Sequence, residues 1–376
     1  MTAHTRTRAL AAGDTALDEY TERLFGHLPR ADQRRWARVY LQGLLTTPGK
    51  KSVRRLAASV TESPTASQSL QQFINASPWE WDPARTELQR WVEERHAVRA
   101  WTIGQVCFPK RGEHSVGVHR RFDPAAGRMV NCQFGFGLFL SLDGMSLPVD
   151  WRLVLPESWS ADPALRRRAR ISADAVHQSP ESLVLDLLDA TAARTTAVRP
   201  PVVADLSRLT GAAALIGTLA RRGHDFLVSV PPALPVCAAG PEPTRHGTTA
   251  ADLTRRTTTT HPHSPRIPIH STLVRVPGDG GKGTGGLRGY RLFGEGRPDG
   301  RLWLTNMSRH RMDDLLHLTR QSTRAGATLA TLAEDFGLLD FEGRSFPGWH
   351  HHMTLMSTAY AYTHRPLPAI PHQRRH

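Results

Sequence analysis

Cysteine is scarce in this sequence, and long apolar runs are absent. The 376 residues include three cysteines, Cys107, Cys132 and Cys237, which lie far apart and show none of the paired spacing of zinc sites or disulfide scaffolds. This scarcity indicates a reducing cytoplasm. Nowhere do about 18 consecutive apolar residues occur, and the amino terminus has no apolar stretch of signal-peptide length, so we expect a chain that is neither exported nor embedded in a membrane.

Acidic residues are outnumbered by basic ones. Lys and Arg total 48 against 34 Asp and Glu, which gives a net charge of +14. Charge of this sign concentrates phosphate backbones near a protein and supplies sequence-independent affinity through counterion release. An Arg-rich and Ala-rich composition can also follow from GC-rich coding. Charge alone therefore favours a nucleic acid partner without establishing it.

Helical spacing dominates the first part of the chain. The apolar residues Leu24, Leu28, Trp36, Tyr40 and Leu44 recur at helical intervals. We predict a flexible stretch over residues 1–12 and a helical domain over residues 13–98, for which DNA contact and a solvated helix face are equally good interpretations. From residue 99 the period changes: apolar or alternating runs at 101–108, 130–142 and 146–156 predict three consecutive strands in an antiparallel meander.

The remaining sequence predicts a mixed sheet with an insertion. A helical stretch at 182–193 precedes an apolar strand that ends on Asp205, and the following alternation of helix and strand indicates a partly parallel sheet covered by helices. Residues 99–237 thus form the first part of an α/β core. Residues 238–300, rich in Pro, Thr and Gly, are expected to be an exposed, partly flexible insertion. Helical patterns at 312–321, 329–336 and 349–362 complete the core over 301–365, before a basic tail at 366–376.

Short strings in a fixed order carry a family resemblance. The helical front contains YLQGLL at 40–45, KKSV at 50–53, SLQQF at 69–73 and SPWEW at 77–81; FPKRG at 108–112, SVGV at 115–118, NCQ at 131–133 and LPESW at 155–159 follow; VAD at 203–205, GDGGKG at 278–283 and FEGRS at 341–345 come last. Over most of its length the chain resembles the insertion sequence 701 branch of DDE transposases. The resemblance implies an RNase H-like mixed sheet flanked by helices.

The resemblance also implies three carboxylates that hold two divalent cations for cutting and joining phosphodiesters. The first should lie four residues before Phe108, where the sequence has Gly104. The second coincides with Asp205, which is present. The third should lie on a helix in an Arg-x3-Glu-x6-Lys pattern before Gly337. Counting back, the three positions of that pattern hold Ser322, Gly326 and Ala333.

Two of the three acids are therefore predicted to be lost. Glu334, Asp335 and Glu342 lie near the third position, and Glu342 could replace it if the register slips, although an ion pair with Arg344 is the favoured interpretation. We predict a degenerate triad that holds no metal. Mg²⁺ becomes a cofactor only if this assignment of the acids is wrong.

Basic clusters are the predicted DNA contacts, and a solvated surface is the alternative for each. The predicted contacts are Lys50, Lys51, Arg54, Arg55, Lys110, Arg111, Arg120, Arg121, Arg166, Arg167, Arg168 and Lys282. His350, His351 and His352 resemble a metal site, but consecutive side chains on a helix point about 100° apart and cannot share one coordination sphere. We expect these histidines to be structural or to face phosphate.

The favoured hypothesis is a domesticated, catalytically inactive transposase that binds double-stranded DNA as a regulator or DNA-associated factor. It would lie at the nucleoid in a bacterial cytoplasm, with a homodimer as a candidate assembly and no membrane partner. One alternative is an active, metal-dependent DDE transposase or endonuclease whose acids are misassigned. Another is that the old cleft now serves small-molecule chemistry or partner binding. The intact apolar periodicity argues against a decaying product without a role.

Overall fold

The computed structural model describes residues 15–123, 127–239, 248–256, 269–277, 288–295 and 300–365. The predicted flexible start at 1–12, the basic tail at 366–376 and Lys282 lie outside the described residues. The chain divides into two compact units. The first contains the residues up to Leu88, Leu332–Gly343 and those from Pro347 onward; the second contains Gln89–Thr331 and Arg344–Phe346.

The first unit is helical. Its elements are α1 (residues 15–25), α2 (Ala31–Thr46), α3 (Val53–Val60), α4 (Ala66–Asn75), the start of α5 (Asp82–Glu93) and nearly all of α12 (Phe346–Thr363). Helix α12 is buried on every side, with Trp349, Met353, Leu355 and Met356 inaccessible to solvent. A helix that is apolar all round belongs in a core. Residues 347–365 therefore group with the helical unit, whereas the sequence analysis had assigned them to the sheet domain.

Close packing in this unit explains one of the sequence strings. Along α2, Tyr40, Leu41 and Leu44 fall on one buried face. On the same helix a Cβ at Gly43 would lie 2.9 Å from the Cβ of Leu56 on α3. Such a distance is too short for two carbon atoms, so only glycine allows the two helices to approach this closely. The glycine of the YLQGLL string is thus a packing requirement.

The second unit is built on a ten-stranded sheet. Its strands are β1 (Ala100–Pro109), β2 (His119–Asp123), β3 (Arg128–Ser141), β4 (Ser146–Leu153), β5 (Val202–Asp205), β6 (Phe226–Val230), β7 (Cys237–Ala238), β8 (Ile269–Arg275), β9 (Tyr290–Glu295) and β10 (Leu302–Thr305). Its helices are α6 (Glu157–Ala161), α7 (Pro163–Ala169), α8 (Pro180–Arg194), α9 (Ala212–Arg221), α10 (Ala250–Arg256) and most of α11 (Met312–Asp335).

The strand order is that of an RNase H-like sheet. Strands β1, β3 and β4 form the predicted antiparallel meander, β5 pairs parallel with the other side of β1, and β6 pairs parallel with β5. The predicted α/β mixed sheet flanked by helices is confirmed. In the described part of the chain, no helix combines the length and the apolarity that crossing a membrane requires.

Beyond β6 the sheet continues through β10, β9, β8 and β7 in antiparallel pairs. Strands β8 and β9 come from the segment expected to be an exposed insertion. They belong to the core all the same, because Ile269 and Phe293 pack with Val203, Leu227 and Trp303. The described parts of residues 238–300 therefore extend the central sheet.

Candidate functional site

Asp205 ends β5, at the edge of the sheet where the parallel strands finish. Its Oδ1 atom accepts three hydrogen bonds: from the main-chain N of Ser207 at 3.0 Å, from the Ser207 hydroxyl at 2.6 Å and from the Ser229 hydroxyl at 2.5 Å. Its Oδ2 atom lies 3.7 Å from the guanidinium of Arg301. Burial pushes the pKa of Asp205 upward, but the serine hydrogen bonds and Arg301 outweigh burial and hold the pKa below its ordinary value.

Gly104 lies on the neighbouring strand beside Asp205. The register pairs Ile103 of β1 with Ala204 of β5, so Gly104 and Asp205 are the next residues along the two strands. A Cβ at Gly104 would lie 2.8 Å from Cε2 of Phe139 and 3.1 Å from Cδ1 of Leu329. The space that a carboxylate would need at this position is therefore filled by an aromatic ring and a leucine.

A cavity of about 550 Å³ opens at this edge of the sheet. Its lining residues come from β1, from β5 and the turn after it, from the start of β10 and from one face of α11: Ile103, Gly104, Gln105, Asp205, Ser207, Arg208, Arg301, Ser322, Thr323, Ala325, Gly326 and Leu329. Asp205 is the one carboxylate among these lining residues, which also include two arginines. The structure thus brings Gly104, Asp205 and Gly326, the three positions counted from the sequence, into one cleft.

Gly326, the position counted for the third carboxylate of the triad, has space for a side chain but carries no acid. Ser322 and Gly326 are one helical turn apart on α11 and both line the cavity. No atom lies within 4 Å of a Cβ built at Gly326, so a side chain would fit there without a clash. Ala333, the third member of the counted pattern, lies in the part of α11 that groups with the helical unit.

The nearby acids of the first unit are engaged elsewhere. Glu342 forms a 2.6 Å ion pair with Lys50 on an exposed surface, not with Arg344 as the sequence suggested. The negative charges of Asp335 and Asp340 raise the pKa of Lys51. None of these residues, nor Glu334, lines the cavity around Asp205.

The cleft does not fit a pair of divalent cations. Two such ions need several carboxylate oxygens, and here one Oδ1 atom is occupied by three hydrogen bonds while Oδ2 faces a cation. Across the described residues, no group of three or more His, Cys, Asp or Glu is arranged to hold a metal ion.

The histidines of α12 are built into the helical unit. His351 is fully buried and stacks on Trp79 at 3.8 Å between ring centres, with its ring nitrogens 2.9 Å from the carbonyl oxygens of Ile74 and Trp79. The ring nitrogens of His352 lie 2.9 Å from the Tyr40 hydroxyl and from the carbonyl of Gly337. These contacts give His351 and His352 a structural role, since the contacted nitrogens cannot also ligate a metal.

The predicted basic residues differ widely in their accessibility. Arg54, Arg111, Arg120, Arg167 and Arg168 are exposed. Lys50 is paired with Glu342, and the exposed Arg55 donates to the carbonyl of Pro48 at 2.7 Å. Lys110 is half-buried.

Three members of the set are tied to the protein itself. Lys51 is 5% exposed and its ammonium donates to the carbonyl of Thr47; burial lowers its pKa, although Asp335 and Asp340 oppose this effect. Arg166 donates to main-chain carbonyls of Ser160, Ser172, Ala173 and Ala175. The guanidinium of Arg121 lies 3.8 Å from the ring centre of Phe134. The burial of Lys51 and its hydrogen bond to Thr47 argue against its predicted role as a DNA contact.

Four cleft residues escaped the sequence analysis: Ser207, Arg208, Ser229 and Arg301. Ser207 and Arg208 follow Asp205 within three residues, so their nearness in sequence could have identified them. Ser229 and Arg301 are far from Asp205 in sequence and are brought to it by β6 and by the start of β10. No spacing pattern could have identified these two.

The sheet order and its flanking helices define an RNase H-like fold, and comparison with known proteins gives its family. The model of the DDE superfamily endonuclease family matches residues 23–273 of the 376, and the chain belongs to this family. The match ends before α11. Among proteins with curated function, none matches the chain. A cryo-EM structure of the piggyBac transposase synaptic complex with hairpin DNA is similar at a TM-score of 0.42 and 9% identity, covering 92% of this chain and 71% of that one.

Proposed function

We propose that this protein binds double-stranded DNA and no longer performs the metal-dependent strand cleavage of its family. The observation that carries the proposal is the cleft itself: Asp205 is its one carboxylate, and Phe139 and Leu329 occupy the space beside Gly104. Without a first acid, little negative charge remains to hold two dications against their hydration.

The proposal also covers the branch of the transposase family, the DNA partner and the role of the protein in the cell. The ordered strings from YLQGLL to FEGRS support assignment to the insertion sequence 701 branch. The net charge of +14 and the exposed arginines Arg54, Arg111, Arg120, Arg167 and Arg168 support a DNA partner. A protein that binds DNA without cutting it suits regulation or another DNA-associated role at the nucleoid of a bacterial cytoplasm. A homodimer is the assembly we would look for first.

The test is a fluorescence-anisotropy titration of a labelled random-sequence duplex at 50 and 200 mM salt, with cleavage followed in parallel in Mg²⁺ or Mn²⁺. We expect binding that weakens steeply with salt, because each phosphate neutralised contributes about −0.9 to the slope of log K against log salt. We expect no nicking. Metal-dependent nicking that Asp205→Ala abolishes would establish the alternative, an active endonuclease with its acids misassigned.

A second candidate function is favoured by the size of the cleft. Its volume of about 550 Å³ lies within the range of small-molecule sites, and Arg208, Arg301, Ser322 and Thr323 offer donors to an anionic ligand. Inorganic phosphate and nucleoside monophosphates are suitable probes. If they raise the melting temperature of the wild type but not of Arg301→Ala, and duplex DNA does not bind, the cleft has been recruited for small molecules.

A further inference from the structure

One face of the β2–β3 hairpin exposes apolar side chains within a basic surface. Phe122 is 55% exposed and Met129 is 47% exposed, and the two are directly opposite in the antiparallel pair. Arg120 and Asn131 are the next pair on the same face, because side chains alternate along a strand and opposite residues share a face. We call these four residues the hairpin face.

The opposite side of the hairpin is closed. There Arg121 covers the ring of Phe134, and Cys132 is fully buried. The hairpin therefore has one side that packs on the protein and one that faces solvent. Phe122 and Met129 are adjacent, so they form an apolar patch and not two scattered side chains, and the patch lies at the edge of the sheet because β2 is its terminal strand.

Cations surround the patch. Arg120 is part of it, Arg128 is exposed on β3, and the main-chain N of Lys110 bonds the carbonyl of Asn131, which brings Lys110 and Arg111 alongside. A neutral protein partner would gain nothing from these charges. A nucleic acid meets all the elements of the surface: phosphates for the arginines, a base edge for the amide of Asn131, and a base face for Phe122.

We propose that the hairpin face is a DNA contact in which Phe122, supported by Met129, stacks on a base that has left the duplex stack. This proposal rests on the proposed DNA binding and adds the part of the DNA that is recognised, an unstacked base. Stacking on an aromatic side chain tolerates every base, because each base has a π-face. The hairpin face would therefore direct the protein to distorted or gapped DNA of any sequence.

The test compares two labelled probes, an intact duplex and the same duplex with a three-thymidine gap in one strand. We expect the wild type to prefer the gapped probe at least fivefold, the lower end of what one base-aromatic stack contributes. Phe122→Ala should remove the preference and leave affinity for the intact duplex within twofold. Phe122→Tyr should keep the preference, since a ring remains.

Two further variants separate stacking from charge and from general surface effects. Arg120→Ala should weaken both probes and lower the salt slope by about one. Leu273→Ala is the matched control: Leu273 is 50% exposed on β8, so it tests the loss of an accessible apolar side chain from a strand elsewhere, and it should change neither probe. Circular dichroism and melting temperature should be unchanged for Phe122→Ala.

Four results would overturn the inference, and one of them would also remove the proposed function. A wild type that binds the duplex in a salt-dependent way but shows no preference for the gap refutes only the stacking. Equal weakening of both probes by Phe122→Ala also refutes it. Sedimentation showing a dimer that Phe122→Ala dissociates would assign the hairpin face to self-association. No DNA binding by the wild type refutes the proposed function and the inference together.

Discussion

The carboxylate of Asp205 is surrounded by two serines and an arginine. In a metal site its oxygens would face cations and water, whereas here Ser207 and Ser229 saturate Oδ1 and Arg301 lies beside Oδ2. The positive charge of Arg301 lies 3.7 Å from an oxygen that a metal ion would have to contact. These contacts would have to break before both oxygens of Asp205 could ligate a metal ion.

Alanine at Gly104 and at Gly326 should have opposite effects on stability. The added methyl at Gly104 meets Phe139 at 2.8 Å, and forcing a side chain into a packed core costs about 1–3 kcal/mol. The methyl at Gly326 meets nothing within 4 Å, and alanine in a helix is more favourable than glycine by about 1 kcal/mol. Urea unfolding of the two variants measures both effects. A stable Gly104→Ala would mean that the cleft can still admit a side chain at the first position.

The hydrogen bonds to Asp205 predict a pH dependence. A carboxyl whose pKa is lower in the folded than in the unfolded protein stabilises the fold above the unfolded pKa and loses that contribution as the pH falls through the folded value. The difference in unfolding free energy between wild type and Asp205→Asn should thus be constant between about pH 5 and 7 and shrink at more acidic pH. Urea titrations at pH 6, 4.5 and 3.5 check this. A difference that grows on acidification would contradict the hydrogen-bonded, ionised carboxylate.

Among the elements, the strongly apolar ones could be predicted and the polar ones could not. The runs at 101–108, 130–142 and 146–156 correspond to β1, β3 and β4, because a strand buried on both faces leaves a continuous apolar record. Strand β2, His119–Asp123, was missed since it has a single apolar residue, and that residue faces solvent. Partnership with β3, not its own composition, makes it a strand.

Helix α11 was predicted as two helices because residues that line the cleft interrupt its apolar pattern. The patterns at 312–321 and 329–336 predicted two helices, and the structure has one of 24 residues. The gap between the two patterns contains Ser322, Thr323 and Gly326, which line the cavity and so need not be apolar. The cleft position of Asp205 was predictable because it ends an apolar strand. The partners Ser229 and Arg301 depend on the sheet's pairing and were not.

Helix α12 yields a prediction for the helical unit. His351→Ala removes two polar contacts and a stack on Trp79 from a fully buried position, so we expect a loss of about 3 kcal/mol or more in unfolding free energy. His317→Ala, which removes an exposed histidine from α11, is the matched control and should change stability by less than about 0.5 kcal/mol. Zn²⁺ should bind neither the wild type nor the variants. Zn²⁺-dependent stabilisation lost in His351→Ala would show that the string is a metal site after all.

At the scale of the whole molecule, the net charge of +14 and the single carboxylate in the cleft predict how divalent cations act on DNA binding. An intact site would tie DNA phosphates to the protein through bound metal, and EDTA would then weaken the complex. In the proposed DNA complex the attraction comes from arginines and lysines, so Mg²⁺ acts only as a competing counterion. At constant ionic strength, anisotropy titrations should give a Kd in EDTA that is equal to or lower than the Kd in Mg²⁺.

Asp205→Asn provides the control for this comparison, since it removes the one acid of the cleft and leaves the basic surface unchanged. The variant should show the same dependence on Mg²⁺ as the wild type, because a single hydrogen-bonded carboxylate offers no metal site that the substitution could remove. Tighter binding of wild type in Mg²⁺ than in EDTA, abolished in Asp205→Asn, would mean that Asp205 still bridges a cation to DNA. Asp205 would then bind a metal ion in spite of the nearby arginines Arg208 and Arg301.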